Sequence, residues 1–231
     1  MFDIEFGGIT GKDKGIIVTR RPDIPSPVEI VDSYRVPGRD GELIAHTGTY
    51  EDVEIEISFG FRSPKDQWAE RFRQCRKWLL IPGVNRLQFS DDPDFFHLVK
   101  YVEVDDAERT LKKYGEFTAI FTCSPYLYAY EGEIEVPAVD LYNNYDLSRP
   151  VYYIQGEGVC RIVVNGKEVS INVGQNAKID TDLMIAYRND KTIVNADTTG
   201  DYDWLWLRPG LNTINATAGF QVTLKPRWRS L

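Results

Sequence analysis

The stretch RIVVNGKEVSINV, residues 161–173, decides the fold class of this 231-residue chain. Apolar residues alternate with polar ones on both sides of Asn165-Gly166, a dipeptide that tolerates the positive φ of a two-residue hairpin turn. We therefore predict a β-hairpin here. Around it, short strands without a helical period are predicted at Val151–Ile154, Ala177–Asp180, Met184–Tyr187, Lys191–Asn195, Trp204–Leu207, Asn212–Ala216 and Gln221–Lys225. This spacing predicts a β-sandwich for the second half of the chain.

The first half combines strands with one helix. Every second residue of Val53–Phe61 is apolar, which indicates a half-buried antiparallel strand. Ser63 and Pro64 suit a helix start, and we predict a helix over residues 64–80. One face of that helix carries an apolar stripe of Trp68, Phe72, Cys75 and Leu79. A hairpin, Leu87–Phe89 and Phe95–Val104 joined by a turn at Asp91–Asp94, and a strand at Glu116–Thr122 complete this half.

The predicted fold is mainly β, with an N-terminal antiparallel domain carrying one packed α-helix and a C-terminal β-sandwich. The segment Thr122–Tyr126 closes the first β-rich half, and Asp140–Arg149 has the composition of a linker. We therefore predict two domains, 1–139 and 140–231.

Charge and composition exclude several functions. The chain carries 35 acidic and 27 basic residues, a net charge of −8, and both halves are acidic. Nucleic-acid recognition is not expected, because it requires a basic footprint. The basic residues Lys65, Arg71, Arg73, Arg76 and Lys77 cluster on the predicted helix, where a solvated face is the simpler interpretation. No membrane span is expected, and the acidic start Met1–Phe6 predicts a chain that is cytoplasmic at synthesis.

The residues that carry enzyme chemistry are sparse. His46 and His97 are the only histidines, and neither lies in a metal-binding or catalytic motif. Glu54 and Glu56 stand two residues apart on one predicted strand, as solvated carboxylates normally do. Three cysteines are too few and too scattered for a zinc cluster or a disulfide framework, so buried thiols are expected. We expect neither an enzyme nor a cofactor.

A family resemblance emerges from the order of several short motifs. They are Val36–Gly41, Gly48–Tyr50, Lys77–Leu79, Phe121–Tyr126, Val164–Gly166 and Leu207–Asn212. Their sequence along the chain resembles the distal tail proteins of long-tailed siphophages and related prophages. The resemblance implies a ring-forming N-terminal domain, typically hexameric, and a galectin-like C-terminal sandwich that projects outward.

The resemblance also implies a place and partners. Such rings are structural proteins of the virion, made in the cytoplasm of the host bacterium. They lie at the tail tip and join the tail tube to the baseplate. The partners implied are other copies of the chain, the tail tube protein, the tail-associated hub protein and, in some phages, receptor-binding proteins.

Two sites are predicted. Arg39 and Asp40 offer adjacent opposite charges that could pair between identical subunits of a ring; a loop that pairs only with itself or with water is the alternative. In the sandwich, Asp201, Trp204 and Trp206 are the best sugar or partner contacts, because aromatic rings beside carboxylates suit pyranose rings. Because Trp204 and Trp206 fall on one face of the predicted strand, sandwich core or subunit interface is the favoured interpretation of the two tryptophans. The sugar-binding motifs of true galectins are missing, and a monomeric carbohydrate-binding module remains the alternative function.

Overall fold

The computed structural model describes residues 2–64, 66–83, 85–111 and 113–231 of the chain. The fold is mainly β, with a single α-helix in the part of the chain described, so the predicted fold class is confirmed. The chain divides into two compact units. Unit 1 runs to Leu127 and includes Leu231, whereas unit 2 comprises Tyr128–Ser230.

Unit 1 is an antiparallel sheet with one helix. Its elements are β1 (Ile4–Phe6), β2 (Ile9–Thr10), β3 (Ile16–Val18), β4 (Glu29–Tyr34), β5 (Leu43–Tyr50), β6 (Val53–Arg62), α1 (Trp68–Leu79), β7 (Asn85–Phe89), β8 (Asp92–Val104), β9 (Glu108–Leu111) and β10 (Tyr114–Ala129). The main strand order is β2-β1-β7-β8-β10-β6-β3, and β9 pairs with β10. Strands β4 and β5 form a separate two-stranded sheet.

Buried and exposed side chains alternate along β6, which shows which face of the sheet is buried. Ile55, Ile57 and Phe59 are fully buried, while Glu54 and Glu56 between them face solvent. This agrees with the predicted half-buried strand. Pairing of β6 with β10 over ten residues aligns the apolar side chains of both strands on the same face, where they form the core.

Helix α1 covers that core. Cys75 and Leu79 of the predicted stripe are buried, and Trp68 and Phe72 pack against the core while partly exposed. Trp78, outside the predicted stripe, is also buried, and its Nε1 donates a hydrogen bond to the Phe6 carbonyl at 3.1 Å. The sequence pattern therefore found one edge of the buried face but missed the residue that ties the helix to β1.

The start of the helix differs from the prediction. It begins at Trp68 instead of residue 64, and Ser63 makes no side-chain capping bond. Asp66 has a φ of +66°, a left-handed conformation that interrupts a helix, so the segment before Trp68 cannot belong to it. Lys65, assigned to the basic helix face, lies outside the described residues.

The β7–β8 hairpin turns earlier than predicted. Phe89 pairs with Asp92, so the turn is Ser90-Asp91 and strand β8 already includes Pro93. The side chain of Gln88 donates to the Pro93 carbonyl, which helps to hold the turn. A proline near the start of a strand is tolerated, since it needs no hydrogen-bonded N–H there.

Unit 2 contains only strands and short 3₁₀ turns. Its strands are β11 (Val136–Pro137), β12 (Leu141–Asn143), β13 (Val151–Val164), β14 (Lys167–Asp180), β15 (Ile185–Tyr187), β16 (Thr198–Thr199), β17 (Gly210–Asn212), β18 (Ile214–Ala216), β19 (Gln221–Lys225) and β20 (Arg229–Ser230). The main sheet has the order β11-β19-β13-β14-β15, with β16 beside β14 and β18 beside β13. Strands β12 and β17 pair separately.

The hairpin predicted from residues 161–173 is confirmed. Strands β13 and β14 pair without interruption from Val151 opposite Asp180 to Val164 opposite Lys167. The two residues of the turn have positive φ, +52° at Asn165 and +81° at Gly166. The segment Ala177–Asp180, predicted as a separate strand, continues β14.

Two predicted strands of unit 2 are wrong. Lys191–Asn195 contributes only an isolated bridge between Ile193 and Tyr187. Residues 204–207 are not a strand either, because Tyr202–Leu205 forms a 3₁₀ turn in which the Trp204 N–H donates to the Asp201 carbonyl at 3.0 Å.

The boundary between the units falls before the predicted linker. Residues 128–139, predicted to belong to the first domain, interact within unit 2. Strand β11 pairs with β19, and the Arg227 N–H donates to the Gly132 carbonyl at 2.8 Å. A Cβ atom on Gly132 would lie 2.2 Å from the Trp228 nitrogen, so only glycine fits this close backbone approach.

Candidate interaction surfaces

The most exposed element of unit 1 is the β4–β5 hairpin, here called the arm and defined as residues 29–50. Almost every residue of both strands is exposed. Five apolar side chains on its strands are each at least 41% exposed: Ile30, Val31, Tyr34, Leu43 and Ile44. A two-stranded hairpin is marginally stable alone, and exposed apolar patches of this kind mark interaction sites. The arm has the properties of a surface that binds another protein.

Arg39 and Asp40 lie in the loop that joins the two arm strands. Pro37 and Gly38 form a turn closed by the Arg39 N–H, which donates to the Val36 carbonyl at 3.2 Å. Gly38 has a φ of +80°, as the third residue of a type II turn requires. Both charged side chains are exposed, and within the described residues no ion pair engages them. The tip therefore presents two free opposite charges.

Polar contacts within the arm hold its strands together. The Nδ1 of His46 lies 2.9 Å from a carboxylate oxygen of Glu29 on the opposite strand. A bulge follows Ile30, and the Thr47 hydroxyl donates to the Ile30 carbonyl there. Bulges bend a strand and increase its local twist, so this bulge gives the arm additional twist near its base.

The segment before the arm is restrained by prolines. Pro22, Pro25 and Pro27 fall within eight residues that form neither helix nor strand. Arg21 of this segment forms an exposed ion pair of 2.9 Å with Asp91. At the other end of the arm, the rings of Tyr50 and Tyr126 pack edge to face at 6.1 Å. The arm is thus fixed at its base although its strands are exposed.

Asp201, Trp204 and Trp206 occupy a 3₁₀ turn and its exit, so the two tryptophans do not share a strand face. Both are partly exposed, and the buried residues here are their neighbours Leu205 and Leu207. Lys167 holds its ammonium 5.6 Å from the Trp204 ring centre. The two tryptophans are therefore neither fully buried in the core nor aligned side by side on one face of a strand.

Existing contacts occupy the ring of Trp206. Its Nε1 donates to the Thr181 carbonyl at 3.2 Å, and the Arg149 guanidinium lies 4.7 Å from the ring centre. Arg149 is held there by an ion pair of 2.9 Å with Asp182. One face of Trp206 is consequently covered by a cation, which disfavours sugar stacking on that face.

His97 and the three cysteines lie in the protein interior. His97 is buried against Phe89, its Nδ1 has no hydrogen-bond partner, and burial lowers its pKa to about 4. The predicted buried thiols are confirmed: Cys75, Cys123 and Cys160 are all buried and free. Among the described residues, no group of three or more His, Cys, Asp or Glu side chains is placed to hold a metal ion. The helix described in unit 1 is not long and apolar enough to span a membrane.

The fold and these surfaces define a two-unit, mainly β protein whose most exposed element is a hairpin arm. No protein-family model matches the sequence, and no curated protein matches it significantly. Among solved structures, the fold matches the Dit protein of phage SPP1 with a TM-score of 0.73 and 15% identity. The match covers 100% of this chain and 98% of the SPP1 chain. That crystal structure is described as a paradigm of the hub adsorption apparatus in phages infecting Gram-positive bacteria.

Proposed function

We propose that this chain is a structural protein of a siphophage tail tip, where it forms the hub of the adsorption apparatus. The observation that carries the proposal is the likeness to SPP1 Dit over the full length of both chains. Because both units take part in that match, the likeness concerns the whole architecture and not one common β module. The protein acts in the virion after synthesis in the bacterial cytoplasm, and its role requires no cofactor or catalytic group.

The hub is a hexameric ring, and unit 1 forms its contacts. The exposed arm supports this, since its apolar strands gain free energy when a second copy covers them. In a head-to-tail ring, the arm of each subunit contacts a different surface of the next one. Arg39 and Asp40 at the arm tip then lie at the subunit boundary and pair across it.

Unit 2 is the galectin-like module of the hub. The ring joins the tail tube protein to the tail-associated hub protein, and unit 2 carries receptor-binding proteins where these are present. The prolines before the arm and the Tyr50–Tyr126 ring contact at its base fit a rigid connector, because a pre-ordered arm loses less entropy on assembly.

Solution mass and electron microscopy test the ring. The purified full-length protein is examined by light scattering over a wide concentration range and by negative-stain imaging. We expect a mass of six chains of 26.5 kDa each and ring-shaped particles. A protein that stays monomeric at all concentrations would favour the alternative of a monomeric carbohydrate-binding module.

A matched pair of variants tests the arm. Ile44→Lys places a charge on the exposed arm, and Ile134→Lys does the same at a comparably exposed position of unit 2. Both variants should keep the thermal unfolding of the parent protein, since neither site is buried. We expect Ile44→Lys to shift the protein towards monomers and Ile134→Lys to assemble normally; the reverse result would contradict the role given to the arm.

A further inference from the structure

The outer face of the main sheet in unit 2 carries an ordered row of side chains. Strand register places Thr223, Tyr153, Lys178 and Tyr187 next to one another on β19, β13, β14 and β15. The opposite face of the same strands is core, as the buried Tyr152 shows. The row is therefore fixed in position by a rigid sheet.

A second row of amides lies beside the first. Two residues further along the strands, Gln221, Gln155 and Asn176 are paired in the same register. Because side chains two apart share a face, the amides and the tyrosines form one surface. This surface, comprising Tyr153, Lys178, Tyr187, Gln155, Asn176 and Gln221, is called the tyrosine platform.

The two tyrosines are spaced by the sheet itself. Tyr153 and Tyr187 lie on strands β13 and β15, with β14 between them, so their attachment points are about 9.5 Å apart. Lys178 stands between them, with its ammonium 5.3 Å from the Tyr153 ring centre. Both rings are partly exposed. Lys178 covers one face of Tyr153, so the platform offers the Tyr187 ring and the remaining exposed part of the Tyr153 ring over a span that a short linear oligosaccharide covers.

The polar groups of the platform retain hydrogen-bonding capacity. In the described part of the chain, no hydrogen bond engages the hydroxyls of Tyr153 and Tyr187 or the side chains of Gln155 and Gln221. The Tyr153 hydroxyl is protonated at neutral pH and can donate, and burial and the nearby Glu135 carboxylate raise its pKa further. Any ligand that covers this surface must satisfy several donors and acceptors at once.

From this geometry we propose that the tyrosine platform binds a linear oligosaccharide. A sugar ring can stack its apolar C–H face on the tyrosines and hydrogen-bond its hydroxyls to the amides. A linear oligosaccharide therefore makes use of both the aromatic and the amide side chains of the platform. A protein partner fits less well, because protein interfaces need a desolvated apolar centre and the platform places Lys178 there. Nucleic acid fits poorly, since Lys178 is the only basic residue of the platform itself. The carboxylates of Glu133 and Glu135 act on Tyr153, and the nearby Arg227 guanidinium is already paired with Asp180.

The platform differs from the site predicted at Asp201, Trp204 and Trp206. It also does not depend on ring formation, because it lies within unit 2. Its test therefore uses soluble monovalent sugars and the full-length protein, whatever its oligomeric state. Failure of the ring proposal would leave it unaffected.

The experiment begins with an array of linear oligosaccharides of glucose, galactose, rhamnose and N-acetylglucosamine. The sugar bound best is then titrated by calorimetry against the parent, Tyr153→Val and Tyr187→Val. Valine keeps the strand propensity of each site, and circular dichroism with thermal unfolding verifies the fold. We expect each variant to bind at least about tenfold more weakly than the parent.

Controls separate this site from others. Tyr142→Ala removes an exposed tyrosine of unit 2 that lies on β12, and it should bind as the parent does, as should Trp204→Ala. If a tyrosine variant does not fold, Gln155→Ala at an exposed position replaces it, with weaker binding expected. The proposal is overturned if the parent binds no probe at millimolar concentration, or if folded platform variants bind like the parent. Platform variants that lose only a protein partner would overturn it in favour of a protein surface.

Discussion

The guanidinium of Arg227 and the carboxylate of Asp180 form a two-pronged ion pair in unit 2, with both N–O distances at 3.0 Å. Asp180 is buried, and its Oδ1 also accepts the backbone N–H groups of Asp182 and Leu183 at 3.1 Å. The pair therefore connects the end of β14, the turn that follows it and the segment between β19 and β20. Such a paired buried charge is costly to break from one side only.

Removing the carboxylate should destabilise unit 2 strongly. Asp180→Ala leaves the Arg227 cation without its partner, so we expect a loss of about 3–5 kcal/mol in the free energy of unfolding. Urea denaturation followed by tryptophan fluorescence measures it. The control Asp23→Ala breaks the exposed pair with Arg20 and should cost less than about 1 kcal/mol. Equal losses in the two variants would contradict the prediction.

Unit 1 should lose stability in mild acid because of His97. Its pKa is about 4 in the folded protein and 6.5 in the unfolded chain, so the unfolded state binds more protons between these values. Stability should fall as the pH drops from about 6.5 to about 4, by about 3 kcal/mol in all, and His97 adds no further loss below that.

Replacing the two histidines separately tests the source of this pH dependence. His97→Phe should reduce the slope of unfolding free energy against pH between 4 and 6.5, since no titrating group remains at the buried site. His46→Gln, which replaces an exposed histidine instead of the buried one, is measured alongside it for comparison. An unaltered slope in His97→Phe would assign the acid sensitivity to other groups.

Two neighbouring residues of the 3₁₀ turn in unit 2, Trp204 and Leu205, should differ strongly in their contribution to stability. Trp204 is partly exposed, so Trp204→Ala should remain folded with a small loss of stability. Leu205 is fully buried, and Leu205→Ala should cost about 2–5 kcal/mol because it opens a cavity. Thermal unfolding of both variants provides the comparison, and a Trp204→Ala protein that unfolds at least as readily as Leu205→Ala would be inconsistent with it.

Charge reversal at the arm tip tests the proposed subunit boundary. Arg39→Asp should weaken assembly by a few-fold, because an exposed ion pair contributes less than about 1 kcal/mol. The double variant Arg39→Asp with Asp40→Arg restores opposite charges and should recover the parent assembly. Analytical ultracentrifugation across a dilution series measures this, and a double variant no better than the single one would argue against pairing between subunits.

Unit 2 should fold by itself, but only with its first strands included. A fragment of residues 128–230 retains β11, which pairs with β19, and β12, which pairs with β17. A fragment of residues 151–231 lacks both strands and the buried Ser148. We expect a cooperative thermal transition from the longer fragment and a weaker or absent one from the shorter. Cooperative unfolding of both with equal midpoints would show that residues 128–150 are dispensable.

The elements that the sequence predicts well are those whose pattern reflects burial. Alternation in β6 and around Asn165-Gly166 arises because one face of each strand meets the core, and the pattern is visible without the structure. The helix start was missed because Ser63 and Pro64 satisfy the local rules for a cap, while the backbone at Asp66 departs from them. Local preference alone could not reveal that.

The candidate sites were harder to predict than the fold. The pattern at Trp204 and Trp206 resembles a strand, yet i to i+3 hydrogen bonds make a 3₁₀ turn and leave Leu205 and Leu207 as core. The arm strands gave no alternation signal, because both of their faces are exposed. Pro37-Gly38 is a common turn dipeptide, but its sequence does not show that the turn lies at the tip of an exposed hairpin. The platform depends on register across four strands, which a single sequence does not display.

The position of the arm has a consequence for engineering. Since its side chains contribute little to the core of unit 1, residues such as Val31 and Leu43 are under almost no constraint from folding. In a library randomised at these positions, nearly all variants should fold and remain soluble, so that their assembly can be compared. Selection for assembled particles would then test the proposed recognition between copies, without the loss of misfolded variants that normally obscures such screens.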